Sequence, residues 1–150
     1  MISFRVAAET DLPAIVALLA DDDKGQSRED SRLPLDPAYY AAFESIDAEP
    51  NQELIVAERD GAIIGTLQLS YLPGLSHRGA WRGQIEAVRI ARHLRGEGLG
   101  TVMIDWAVER CRSRGCRMAQ LTSASSRLDA HRFYEKRGWA KSHAGFKLKL

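Results

Sequence analysis

Arg95-Gly96-Glu97-Gly98-Leu99-Gly100-Thr101 is the stretch on which the reading of this chain turns. Residues 84–90 before it read as a strand. Residues 98–114 place Leu99, Val102, Met103, Trp106 and Ala107 at the i, i+3, i+4, i+7, i+8 spacing of a core-facing helix. Gly115 is positioned to end that helix. A glycine-rich turn between a strand and a helix aims backbone N–H groups and the positive end of the helix at one point, so an anion is the expected ligand. Glycines at 96, 98 and 100 let the main chain approach phosphate oxygens, while Arg95 adds charge and Thr101 a hydroxyl donor.

Working outward, residues 2–7 alternate as a strand, and Thr10-Asp11 supplies a cap before the apolar run from Leu12 to Leu19. The polar stretch 21–37 reads as a long mobile loop, and residues 38–48 as a second helix. Asp60-Gly61, between alternating runs that start at Gln52 and Ile63, is a two-residue hairpin signal. A strand is expected over residues 117–122 and a helix over 128–136, closed by Gly138. Residues 139–143, and Phe146, Leu148 and Leu150 alternating with lysines, predict one or two final strands. The order β-α-α-β-β-β-α-β-α-β(-β) is an α/β class with a mixed central β-sheet flanked by helices.

A chain of 150 residues, 45% hydrophobic and 27% charged, is expected to form one domain spanning 1–150. No secretory signal or membrane-length apolar run is present, so a cytoplasmic location without membrane association is expected. Cys111 and Cys116 lack the partners of a zinc site, and His77, His93, His131 and His143 lack ligand spacing, so no metal is expected. Charge is uneven: residues 1–60 hold 5 Lys/Arg against 14 Asp/Glu, and residues 61–150 hold 16 against 6. The basic half suits a polyanionic ligand and the acidic half a cationic one, or the asymmetry is only a solvated surface. The basic residues are spread out and aromatics are few, which argues against nucleic acid.

A Walker A loop requires a lysine that this loop lacks, so an ATPase is excluded. A Rossmann fingerprint requires Gly-x-Gly-x-x-Gly, whereas the run here is Gly-x-Gly-x-Gly. The remaining pattern, Arg-x-x-Gly-x-Gly, resembles that of the GNAT superfamily of acyl-CoA-dependent N-acetyltransferases. Ile85-Glu86-Ala87-Val88-Arg89-Ile90 looks like the family's fourth strand, and His131 to Trp139 looks like its Phe-Tyr-x-x-x-Gly-aromatic motif.

The resemblance implies a GNAT-like fold and acetyl-CoA as cosubstrate. It implies that Val88, Arg89 and Ile90 lie along the pantetheine arm, with backbone groups of Val88 and Ile90 paired to it. Arg95, Gly96, Glu97, Gly98, Leu99, Gly100 and Thr101 would bind the pyrophosphate. Arg127 stands where the family often has Asn, and would either reach a CoA phosphate or remain an exposed arginine. Tyr134 matches the usual general acid, or packs with Phe133. Glu86 is the candidate base, sharing a strand face with Val88, or it pairs with Arg89 or Arg95.

The acceptor expected from the resemblance is a primary amine, on a small molecule or a protein, delivered to acetyl-CoA in a ternary complex. The acidic residues Asp21 to Asp23, Glu29, Asp30 and Asp36 suggest a cationic one. Tyr39, Tyr40 and Phe43 either line its pocket or pack in the core, and His143 borders the acceptor side by resemblance. Dimers are common in the family, so a homodimer is among the expected assemblies. The rival reading is a non-catalytic acyl-CoA-binding sensor, which would need neither Glu86 nor Tyr134.

Overall fold

The computed structural model describes all residues, Met1–Leu150. It contains two compact units, Met1–Gln120 and Leu121–Leu150. The first holds strands β1 (Ser3–Val6), β2 (Gln52–Arg59), β3 (Ala62–Leu72), β4 (Arg82–Ile90) and β5 (Met118–Gln120), with helices α1 (Leu12–Ala20), α3 (Pro37–Ala48) and α5 (Leu99–Ser113). It also holds two single turns, α2 (Gly25–Arg28) and α4 (Ser76–Gly79), the latter left-handed at His77 and Arg78, and two 3-10 turns, Glu9–Asp11 and Arg92–Leu94. The strands form one sheet in sequence order, β1 to β4 antiparallel and β5 parallel to β4. This is the expected mixed sheet flanked by helices.

The β2–β3 hairpin turns where Asp60-Gly61 predicts it, with φ of 53° and 78°, the double positive φ that matches strand twist. The first helices also form close to their expected limits. Pro37 occupies the first turn of α3 and Asp36 accepts the Ala38 N–H at 2.9 Å, so Asp36 serves as a helix cap.

Apolar residues cover both sheet faces. On one, Leu12, Ile15 and Val16 of α1 and Phe43 of α3 bury against Val56. Phe43 is thus a core residue, while Tyr39 and Tyr40 are half-buried and pack against this cluster. On the other, Leu99, Met103, Ile104, Ala107 and Cys111 are the buried positions of α5. Val102, expected in that stripe, is 43% exposed because the stripe is rotated toward Ile104 and Cys111. Gly83 permits the close approach of α5 to β4: a Cβ there would overlap the Cys111 sulfur. Also on this face, buried Glu53 bonds the Tyr71 hydroxyl and takes Arg110 Nη2 at 2.6 Å, while Arg114 lies 4.1 Å over the Tyr71 ring. Burial alone would raise the Glu53 pKa, but these partners outweigh it and hold it below the usual carboxylate range.

The second unit contains α6 (Leu128–Lys136), with Gly138 at φ 87° just beyond it. The final strands expected over 139–150 do not form. Alternation supplies the propensity, but a strand also needs a ladder partner, and Phe146 and Leu148 are 94% and 86% exposed. The strand expected over 117–122 shortens to Met118–Gln120. The stretch 21–37 is not one continuous loop; it contains α2 and several ion pairs.

Candidate active site

The site is built around the end of β4. Only Arg82, Gly83 and Gln84 pair with β5, opposite Met118, Ala119 and Gln120, so β4 continues from Ile85 to Ile90 without a β5 partner. This length of β4 therefore lacks a strand neighbour on its β5 side, and its Val88 and Ile90 carbonyls accept only from the side chains of Arg89, at 2.9 Å, and Arg95, at 3.4 Å.

A bulge interrupts this edge. Thr66 faces Arg89 and Gln68 faces Glu86, so β4 spends one residue more than β3 over the interval. The extra residue is accommodated by Ala87 at φ 54°, a left-handed conformation that costs a non-glycine roughly 1–2 kcal/mol. The bulge changes which side chains share a face. Glu86 was expected beside Val88, but register sets it beside Arg89, because Gln68 and Thr66 alternate onto one face of β3.

Glu86 is exposed and makes no ion pair. The pairing with Arg89 or Arg95 considered from sequence does not occur. Arg89 Nε instead lies 3.0 Å from Asp22 Oδ2, and Arg89 Nη1 donates to the Val88 carbonyl at 2.9 Å. Arg95 Nη2 donates to the Asp21 carbonyl at 3.1 Å, and Arg92 Nε bonds the Asp21 carboxylate at 3.1 Å. The acidic loop is therefore engaged by arginines of the basic half: Asp21 and Asp22 hold Arg92 and Arg89. Glu29 accepts from Tyr39, and Asp30 bonds Arg32. That spent charge weakens the loop's reading as a trap for a cationic acceptor.

Beyond β4, Gly96 and Gly98 take φ of 85° and 80°, with open space where a Cβ would stand. Gly98 is the N-cap of α5, and no side chain caps that helix. The first N–H groups, at Leu99, Gly100 and Thr101, thus start an uncapped positive helix end. Val88 and Ile90 are half-buried; Arg95 and Glu97 are exposed, and Glu97 lies 4.0 Å from Arg59.

In the second unit, Tyr134 is half-buried, with edge contacts to Phe133 at 5.1 Å and Trp139 at 5.8 Å between ring centroids. Burial pushes its phenol pKa up, and the Arg127 charge opposes this in part. Arg127 is exposed at the N-cap of α6, and His143 is exposed with Nδ1 2.6 Å from the Ser142 hydroxyl.

Sequence reasoning missed a row of neutral polar side chains beside Glu86. Gln52, Ser70, Gln84 and Gln120 face one another across β2 to β5, and Gln68 faces Glu86. Their alternation with apolar neighbours is visible in the sequence, but which residues meet depends on register.

The acetyltransferase (GNAT) family model matches residues 15–139 of the chain. The aminoalkylphosphonate N-acetyltransferase of Salmonella typhimurium is 30% identical over 109 residues, covering 73% of this chain and 70% of that protein. A solved structure described as a transcriptional regulator from Bacillus halodurans is 43% identical, with a TM-score of 0.96 over 100% of both chains. An acetyltransferase structure from Trypanosoma brucei is 27% identical, with a TM-score of 0.79 over 100% of both.

Proposed function

The chain belongs to the GNAT family and is an acetyl-CoA-dependent N-acetyltransferase, and from that premise we propose that it acetylates the primary amine of a small molecule by direct attack in a ternary complex. The observation that carries this reading is the free, bulged end of β4 leading into the uncapped start of α5. An extended arm paired along Val88 and Ile90 would deliver its pyrophosphate to the N–H groups of residues 96–101, and those residues fit it: the glycines leave room and no capping side chain competes. Arg95 supplies positive charge at the mouth of the loop, and Arg127 is the proposed contact to a further phosphate.

Acetyl-CoA supplies an activated thioester carbonyl. A backbone N–H of the bulge, between Val88 and Ile90, supports negative charge developing on the carbonyl oxygen. Glu86 accepts the proton whose loss turns the ammonium into a nucleophilic amine; its exposure favours transfer through a water molecule. Tyr134 donates a hydrogen bond to the departing sulfur. Full transfer from an ordinary phenol near 10 to a thiolate near 8.5 is uphill by roughly 2 kcal/mol, and the raised pKa of Tyr134 makes it steeper.

The test is free-thiol release from acetyl-CoA across a panel of amines. Amine-dependent release that falls in Glu86→Gln, with the acidic limb of the pH–rate profile displaced, supports the reading. Binding of acetyl-CoA without release under any amine would favour the non-catalytic sensor; an unchanged acidic limb would remove Glu86 as the base.

A further inference from the structure

The sheet face that carries Glu86 also carries a row of amides with unused hydrogen-bonding capacity. Gln52 Oε1 accepts from Gln68 Nε2 at 3.1 Å and from the Ser70 hydroxyl at 2.9 Å. On the neighbouring strands, Gln84 Oε1 accepts from Gln120 Nε2 at 2.8 Å. These bonds leave the Gln84 NH2, the Gln120 carbonyl oxygen and the Gln68 carbonyl oxygen without a protein partner. Gln68, Gln84 and Gln120 are each partly exposed, and none of these atoms is sealed from solvent. The row therefore presents open donors and acceptors.

Its position is specific. Gln84 and Gln120 form the last rung between β4 and β5, the point from which the free edge of β4 begins. Gln84 lies two residues before Glu86 on the same face, a separation of about 6.6 Å along a strand. Glu86 is the one carboxylate among these side chains; the cations on the same face are Arg89, beyond Glu86 and paired with Asp22, and Arg82, two residues before Gln84 at the far end.

We infer that this amide row selects the acceptor: a primary amine carrying a neutral hydrogen-bonding group, such as a hydroxyl or amide, about 6–7 Å from the nitrogen. The inference rests on the proposed placement of the amine at Glu86. The ammonium end meets the single carboxylate, and the distal group bonds the Gln84 NH2 and the Gln120 carbonyl. A methyl group in that place leaves the amides unpaired, and a second ammonium meets no counter-charge.

The test compares three amines of matched length, 4-aminobutanol, pentylamine and diaminobutane, with 3-aminopropylphosphonate as the anionic arm, in the thiol-release assay. The wild type is expected to favour 4-aminobutanol over each by about tenfold or more in kcat/KM. Gln84→Leu should lower kcat/KM for 4-aminobutanol about tenfold through KM, leaving pentylamine and the KM for acetyl-CoA unchanged. Gln84→Glu, nearly isosteric and a guard against misfolding, should shift preference toward diaminobutane. Equal use of pentylamine and 4-aminobutanol, preference for the diamine or the phosphonate, or the same loss on every amine in Gln84→Leu would overturn the inference. An unchanged rate in Glu86→Gln alongside altered selectivity in Gln84→Leu would remove the base assignment and leave the selecting row standing.

Discussion

Arg89 Nε lies 3.0 Å from Asp22 Oδ2, with both side chains 13% exposed, and this pair ties the bulged segment of β4 to the connection between α1 and α2. Removing one member leaves a largely desolvated charge unpaired. Asp22→Ala is expected to cost about 2 kcal/mol in urea unfolding, between the values for exposed and fully buried pairs. Asp23→Ala, at an exposed neighbour, should cost less than about 0.5 kcal/mol. Equal effects would mean that the pair does not anchor the loop.

Gly98 sits at φ 80° with no atom within 4 Å of the place a methyl group would take, so Gly98→Ala meets no clash and only the left-handed penalty. That penalty is about 1 kcal/mol of stability. The new methyl stands where phosphate oxygens would approach, and the KM for acetyl-CoA should rise about tenfold or more while the KM for the amine changes little. An unchanged KM for acetyl-CoA would separate the loop from cofactor binding.

Tyr134→Phe keeps the ring packing against Phe133 and Trp139 and removes the donor. Turnover should fall about ten- to hundredfold with the melting temperature nearly constant. Because burial raises the Tyr134 pKa, the phenol keeps its proton through its ordinary titration range, so any fall of wild-type kcat below pH 10 should persist in Tyr134→Phe. A rate equal to wild type would exclude the hydroxyl from the chemistry.

Burial, then the neighbouring Cys116 and Glu53, push the Cys111 thiol up to about 11 from an ordinary 9.0. Between these values the unfolded chain loses the thiol proton while the folded chain keeps it, so stability falls as pH rises from about 9 to 11. Cys111→Ala should flatten part of this alkaline slope in denaturant titrations at stepped pH. The slope would be unaltered if Cys111 ionised equally in both states.

Much of this architecture is legible in local chemistry. Asp60-Gly61 turns the hairpin because both residues adopt positive φ, and residues 128–136 form the expected helix. The bulge is not legible, since nothing about an alanine announces a left-handed φ at Ala87. Without the bulge, counting by two puts Glu86 with Val88, and the bulge sets it with Arg89. The Gln84–Gln120 rung depends on a parallel register between strands far apart in sequence, which periodicity does not encode. The tail shows the converse failure: the alternation of Phe146, Leu148 and Leu150 with lysines is present, but no partner ladder turns it into a strand.

The central claim is that acetyl-CoA lies along the free end of β4 and over the start of α5. Amide hydrogen exchange with and without acetyl-CoA tests it at the backbone. Protection concentrated at residues 88–90 and 96–101 is the result the account predicts. Protection elsewhere, with these amides exchanging unchanged under saturating acetyl-CoA, would contradict it.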